Sequence, residues 1–402
     1  MASGTENRSL STTVAHNDRS GILAGEIRVV PVRGRRMTSQ FLDMPRRVYA
    51  DDPRWVPPLT SSARKFMSPH KNPYFAEATI DHFLALDDHD VPVGRISASI
   101  DHGYVLRYGP VGFFGWFECI DDDRVAGPLL DRAERWSAER GMSRIAGPYS
   151  YCSTQEFGLL TGGFDTTPAA FQAHNPLYYQ QLLHRAGYDY SYRTDVYEWS
   201  AATSDPGTLE GVIARGERAR DRYGLTIRHL DPANWDAEMD RIYELFVASF
   251  AENHDVVPIS RPVFDSQAKE LKQFFDPQLI FFVERGGVPV GFGLLIADAN
   301  EVLAVADGRL TPGFLLRFKA LRSAVTGTIV LMIGARPEAV GLGIGRVLAG
   351  AIAEIALGRV GNYRSVHSTW IHQQNWQSRS LVAATGAIPR RTYAVLEKEL
   401  TS

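Results

Sequence analysis

The tetrapeptide Val-Pro-Val-Gly occurs twice, at residues 91–94 and 288–291, each time between two apolar, strand-like runs. Three further pairs of segments follow the same spacing. Ile27-Arg28 and Ile227-Arg228 open strand-like stretches, "ADDPRWVPP" from Ala50 parallels "AENHDVVPI" from Ala251, and "RTDVYEW" from Arg193 parallels "RTYAVLEK" from Arg391. The offsets all fall between 197 and 201 residues. In a chain of 402 residues, that period means two copies of one domain of ~175 residues, so any fold assigned to one copy must suit the other. The expected division is a disordered tail over 1–25, an N-terminal domain over 26–204, a linking helix over 205–223 and a C-terminal domain over 224–402.

Within each copy the periodicity reads as a strand, a helical region, a hairpin through Val-Pro-Val-Gly, then strand, helix, strand, helix and a last strand. This is an α/β (α+β) layout with a mixed sheet. The linking segment carries Leu209, Val212 and Ile213 among Arg215, Arg218, Arg220 and Arg222, a helix with one solvated basic face. Hydrophobic residues make up 44% and charged residues 22%, an ordinary globular balance, and a net charge near -3 creates no global field for nucleic acid. Two cysteines, Cys119 and Cys152, are too few for a disulfide framework. The start is polar, with no apolar run of signal-peptide type, and no run is long enough for a membrane span, so a cytoplasmic protein is expected.

The segment "TIVLMIGARPEAVGLGIGRVLAGAIAEIAL" from Thr328 is where chemistry enters. A continuous β-branched run suits a strand covered on both faces. Ile344, Val347, Leu348, Ile352 and Ile355 then mark one apolar face of a helix. Gly341, Gly343 and Gly345 lie between them, where free amides and the helix dipole favour an anion, and phosphate is the leading candidate. A tight turn that happens to be glycine-rich is the other reading. Neither a P-loop nor a dinucleotide fingerprint fits, because no Gly-Lys-Ser/Thr is present and Arg346 stands where the fingerprint requires Gly or Ala.

The glycine loop together with "NWQSRSLVAATGA", which supplies Asn375, Leu381 and Gly386, resembles the signature of the GNAT acyltransferase superfamily. More narrowly, "VGFFGWFEC", "GFDTTPAAFQAHNPLYY" and "STWIHQQN" are similar to tandem-domain bacterial GNAT proteins, some of which resemble bacterial ceramide synthases. The resemblance implies two tandem acyl-CoA N-acyltransferase domains, with acyl-CoA as donor substrate. Its pyrophosphate would be held at Val340, Gly341, Leu342, Gly343, Ile344, Gly345 and Arg346, with Ile333, Gly334 and Asn375 completing the site. Backbone amides near 332–334 would polarise the thioester. Two positions depart from the family pattern: Val340 replaces the usual Gln or Arg, and Val382 stands where many members carry a general-acid tyrosine.

In the first copy, Asp121, Asp122 and Asp123 occupy the place of the glycines, which suits helix capping and repels phosphate, so one acyl-CoA site per chain is expected. The second copy has no counterpart to the insertion "PYSYCSTQEFGLLTGGFDTTPAAFQA", which would line a cleft for an amine acceptor between the domains. Candidate catalytic residues are Glu156 in that insertion, Asp255 with its neighbour Glu252, and His367, whose competing reading is a satisfied core histidine. No histidine spacing implies a metal. The expected reaction is acyl transfer from acyl-CoA to a small-molecule amine. Two alternatives are an aminoacyl-tRNA donor, as in the Fem aminoacyltransferases, and a non-catalytic CoA-binding sensor.

Overall fold

The computed structural model describes residues 25–151, 155–250 and 257–400. Asp255, Glu252, Cys152 and the expected tail up to residue 24 lie outside the described residues.

The first half runs β1 (Arg28–Pro31), α1 (Gly34–Asp43), α2 (Pro45–Val48), α3 (Thr60–Phe66), β2 (Ala78–Leu86), β3 (Pro92–Asp101) and α4 (His102–Tyr108). It continues through β4 (Val111–Cys119), α5 (Asp123–Ala138), β5 (Arg144–Gly147), β6 (Leu159–Gly162), α6 (Tyr179–Arg185) and β7 (Asp189–Ser200). Helix α7 (Pro206–Tyr223) leads into β8 (Leu225–His229), α8 (Trp235–Phe250), α9 (Arg261–Leu271), β9 (Ile280–Arg285) and β10 (Val288–Ala297). The chain ends with α10 (Ala299–Ala306), α11 (Pro312–Ser323), β11 (Gly327–Ala335), α12 (Ile344–Ala356), β12 (Ser365–Ser368), β13 (Ile371–His372), α13 (Trp376–Thr385) and β14 (Ile388–Glu399). The two halves repeat the same plan, with hairpins β2–β3 and β9–β10 carrying the repeated tetrapeptide.

All strands join one sheet, whose main path is β1-β2-β3-β4-β5-β14-β7-β12-β11-β10-β9-β8. The final strand of each half sits in the other: β14 pairs with β5, and β7 pairs with β12. β7 and β14 also pair with each other along nearly their whole length. The exchange makes each half's sheet depend on the other's last strand, which holds the inner ends of the halves in one frame. Most pairs are antiparallel, but β4–β5 and β11–β12 are parallel, and both of these contacts are short.

Helix α7 buries Leu209, Val212, Ile213, Gly216 and Ala219 against α12, while Arg215, Arg218 and Arg222 face solvent. A Cβ on Gly216 would lie 2.9 Å from the Arg346 carbonyl, so glycine permits the close helix crossing. No helix among the described residues is long and apolar enough to cross a membrane.

Candidate active site

β11 meets β12 only from Gly327 to Val330. Beyond Val330 it keeps β10 on one edge and, among the described residues, has no strand on the other. It is also bulged there: Leu294 pairs with Met332 and Leu295 with Val330, leaving Leu331 as the extra residue. The strand's second half therefore has an open edge of backbone groups, and its Met332, Ile333, Gly334 and Ala335 line a cavity of about 1590 Å³.

Where β11 ends, the chain turns through the glycine loop into α12. The amides of Val340, Leu342 and Arg346 already bond within the loop, to Pro337, Ala339 and Gly343. Those of Gly341, Gly343, Ile344 and Gly345 have no acceptor among the described residues. Gly343 caps the helix in the left-handed region (φ 72°), with Ala219 only 3.1 Å from where its Cβ would stand, so a side chain is disfavoured twice. The free amides and the helix dipole form a nest for an anion. Val340 is 80% exposed and also lines the cavity, so the cavity reaches the surface beside this nest. Asn375 accepts a bond from the Ser378 amide at 3.0 Å, which caps α13, and it lines the cavity with Val382.

The first half repeats the splayed strand and then fills the opening. β4 pairs with β5 only from Val111 to Phe113, and its bulge lies at Trp116, held at φ 48°. The insertion after β5 occupies the gap: the Tyr149 amide donates to the Phe114 carbonyl at 2.8 Å, and the Trp116 indole donates to the Ser150 carbonyl at 3.2 Å. A Cβ at Gly115 would sit 1.5 Å from the Tyr149 carbonyl oxygen, so only glycine is tolerated. At the head of α5, the Asp122 carboxylate accepts from the Arg124 amide at 2.9 Å and Asp123 pairs with Arg185. This helix start already carries negative charge.

The insertion lines the same cavity from the opposite side, through residues including Tyr149, Gln155, Glu156, Phe157 and Phe171. Asp298, the N-cap of α10, ties it to the second half by accepting from the amides of Ala170 and Asn300, both at 2.9 Å. Behind Glu156 lies a buried polar cluster. The Arg95 guanidinium stands 3.6 Å from Glu118 and donates to the Phe41 carbonyl at 3.0 Å. Tyr179 donates to Glu118 at 2.7 Å, and the Tyr49 hydroxyl lies 2.8 Å from both Glu118 and the His174 carbonyl. His174 in turn meets Asp52 at 2.7 Å. Glu156 stands on the cavity side of this cluster, where it feels the charges of both Glu118 and Arg95. Loss of solvent first, and the Glu118 charge second, push the Glu156 carboxyl up to about 7, against the pull of Arg95. The Glu156 side chain is open to the cavity and is a carboxylate poised to exchange a proton near neutrality.

His367 is absent from the cavity wall. On β12 it registers opposite Glu198, and residues directly opposite share a face, whereas its neighbour Ser368 lines the cavity and accepts from the Tyr197 amide at 2.9 Å. Burial lowers its pKa, and Glu198, itself paired with Arg390 at 2.7 Å, opposes that shift. The candidate acid–base role for His367 therefore lacks access to the cavity. Arg95, Glu118, Tyr49, Tyr179 and His174 were not singled out by the sequence reading. The available signal was Arg95 within the small and apolar residues of β3 and Glu118 near the end of the apolar β4.

Several wall atoms are buried without a hydrogen-bond partner among the described residues: Gln172 Nε2, His174 Nδ1, Gln267 Nε2, Trp370 Nε1 and Gln155 Oε1. Such groups are costly unless water or a ligand meets them. The cavity thus combines aromatic and aliphatic walls with a sparse set of unmet polar atoms, the make-up of a small-molecule site. Among the described residues no group of three His, Cys, Asp or Glu side chains is placed to hold a metal ion.

A bulged and splayed strand built twice in one chain, followed in the second half by an amide nest, defines the tandem GNAT fold. A tandem GNAT protein from the clavulanic acid biosynthesis pathway superposes over 94% of this chain and 99% of its own, with a TM-score of 0.55 at 13% identity. In sequence the chain is similar to a bacterial ceramide synthase from Caulobacter vibrioides, 28% identical over 93% of this chain and 98% of the relative. Protein YghO of Escherichia coli is 29% identical over 90% of this chain and 92% of its own length. No protein-family model matches.

Proposed function

We propose that the protein is an acyl-CoA-dependent N-acyltransferase that joins an acyl group to a long-chain, apolar amine. The observation that carries this reading is one continuous cavity that runs from Val340, beside the amide nest, and the open edge of β11 to Glu156 in the other half. Its volume of about 1590 Å³ exceeds the usual range for small-ligand pockets, roughly 300–1,000 Å³, and suits two extended apolar chains. The name of the Caulobacter relative, a ceramide synthase, supports the same substrate class.

In this reading the CoA pyrophosphate rests on the amides of Gly341, Gly343, Ile344 and Gly345, and the pantetheine arm follows the open edge of β11 inward. An amide of β11 beyond Val330 polarises the thioester carbonyl. Glu156 takes a proton from the acceptor ammonium and releases it to solvent, the amine nitrogen bonds to the carbonyl carbon and gives up its second proton to Glu156, and the carbon–sulfur bond breaks to release the CoA thiolate. Val382 offers no proton, so the thiolate is protonated by water or by the proton Glu156 has collected. The filled opening beside β4 and the acidic start of α5 support one donor site per chain.

Incubating the purified chain with acyl-CoAs of increasing length and a long-chain primary amine, and identifying amides by mass spectrometry, tests the proposal. The expected products are long-chain amides. Acetylation of small polar amines alone would overturn the assignment of the cavity to apolar chains.

A further inference from the structure

The turn between α10 and α11 forms a corner of the second half with an uncommon surface. Val305, Leu310, Leu315 and Leu316 are exposed by 48, 48, 57 and 88%. Single exposed apolar residues are ordinary, but four within twelve positions make a patch. The helix that carries the last two is not loosely attached: Phe314 is buried and packs on Phe318, which packs in turn on Phe274. Its leucines are held outward on a fixed base.

The unpaired charge of the patch has one sign, since Asp307, the acidic residue within 305–316, is paired with Arg46. Arg309, Arg317 and Lys319 are exposed and make no ion pair among the described residues, and positions 308–323 contain no Asp or Glu. Apolar side chains ringed by unpaired cations match the boundary between anionic headgroups and acyl chains. A second copy docked by twofold symmetry on the same corner would set cations against cations. The corner also adjoins the cavity. The Gly308 carbonyl accepts from the Thr60 amide at 3.0 Å, Arg46 bonds Asp307 at 2.9 Å, and residues 57–60 line the cavity, as do Asn300 and Leu303 on the inner side of α10.

We propose that the α10–α11 corner docks the protein on an anionic membrane surface, with Leu310, Leu315 and Leu316 entering the headgroup boundary and Arg309, Arg317 and Lys319 meeting lipid phosphates. Docking in this way sets one wall of the cavity against the bilayer, a source of long-chain substrates. The inference rests on the surface alone and stands whether or not the reaction proposed above is the right one.

The test is vesicle flotation of the full chain with phosphatidylcholine alone and with phosphatidylcholine mixed with phosphatidylglycerol. Binding is expected only to the mixed vesicles and is expected to weaken as salt rises. Replacing Arg317→Gln and Lys319→Gln together should weaken it roughly 25-fold, about fivefold for each cation. Leu315→Asp with Leu316→Asp should abolish it while circular dichroism stays unchanged. As an independent readout, the fluorescence of Leu316→Trp should shift to the blue on adding mixed vesicles and stay put with phosphatidylcholine. Equal binding by the double-Asp variant, or no binding to mixed vesicles, would overturn the proposal. A wild-type dimer that the double-Asp variant splits would assign the patch to a second copy and overturn it equally.

Discussion

Replacing Gly345 by Asp separates the anion nest from the packing around it. Gly345 is the second residue of α12, is exposed, and has no atom within 4 Å of where a Cβ would stand. A carboxylate there costs nothing in packing, and near a helix N-terminus it stabilises by about 0.3–1 kcal/mol, with a further ~0.5–1 kcal/mol from removing a helical glycine. Toward a bound pyrophosphate the sign reverses. Two charges ~5 Å apart repel by about 1 to 3 kcal/mol as the effective dielectric falls from that of water to about 20, so CoA should bind roughly five- to two-hundredfold more weakly. Calorimetric titration with CoA and a thermal melt are run on the wild type, Gly345→Asp and Gly345→Ala. The expected result is a melting point held or raised in both variants, with affinity lost most in the Asp variant. Unchanged CoA affinity in Gly345→Asp would refute the nest, and a fall in melting temperature alongside affinity would assign the effect to folding.

Glu156→Gln should remove most amide formation while CoA binding is retained, and wild-type kcat/KM should climb with pH to a plateau above about 7, the range to which this carboxyl is pushed. Because the folded chain holds that proton more tightly than the unfolded one, Glu156 lowers stability as pH rises from the ordinary carboxylate range through about 7. Urea titrations across that range should show the decline flattened in Glu156→Gln. Glu118→Ala leaves the buried Arg95 without its carboxylate and strips the acceptor from Tyr179, so a loss of about 3–5 kcal/mol is expected in chemical denaturation. Asp298→Ala removes the cap of α10 and the anchor of Ala170, for a loss of about 1–3 kcal/mol by the same assay and a rise in KM for the acceptor. Calorimetry of the wild type should give one CoA per chain, and two would contradict the filled opening beside β4.

The repeated plan was legible because hairpin, strand and helix patterns are local. The strand exchange was not. β7 and β14 carry similar patterns, "RTDVYEW" and "RTYAVLEK", so either could pair beside β5 or beside β12, and the sequence offers no local reason to prefer one. Helices α4 and α10, each opened by an aspartate N-cap, fell inside what read as a direct strand-to-strand connection. The glycine loop was legible for the opposite reason, since a nest of amides needs only consecutive residues. The cluster around Glu156 draws on positions from Asp52 to Tyr179, brought together by the sheet and the insertion, and spacing along the chain carries no trace of that meeting. For His367 the sequence leaves both readings open, because a histidine's titration range is visible there, whereas the face of β12 on which it stands is set by register with β7.

A product balance tests most directly whether an acyl-CoA delivers its acyl group to an amine. Purified protein treated with ribonuclease is given a long-chain acyl-CoA and a long-chain amine, and amide and free CoA are quantified together over time. The expected result is amide and free thiol appearing in equal amounts, insensitive to ribonuclease and competitively inhibited by added CoA. Amide formation that disappears with ribonuclease treatment, or that proceeds without release of CoA, would contradict it.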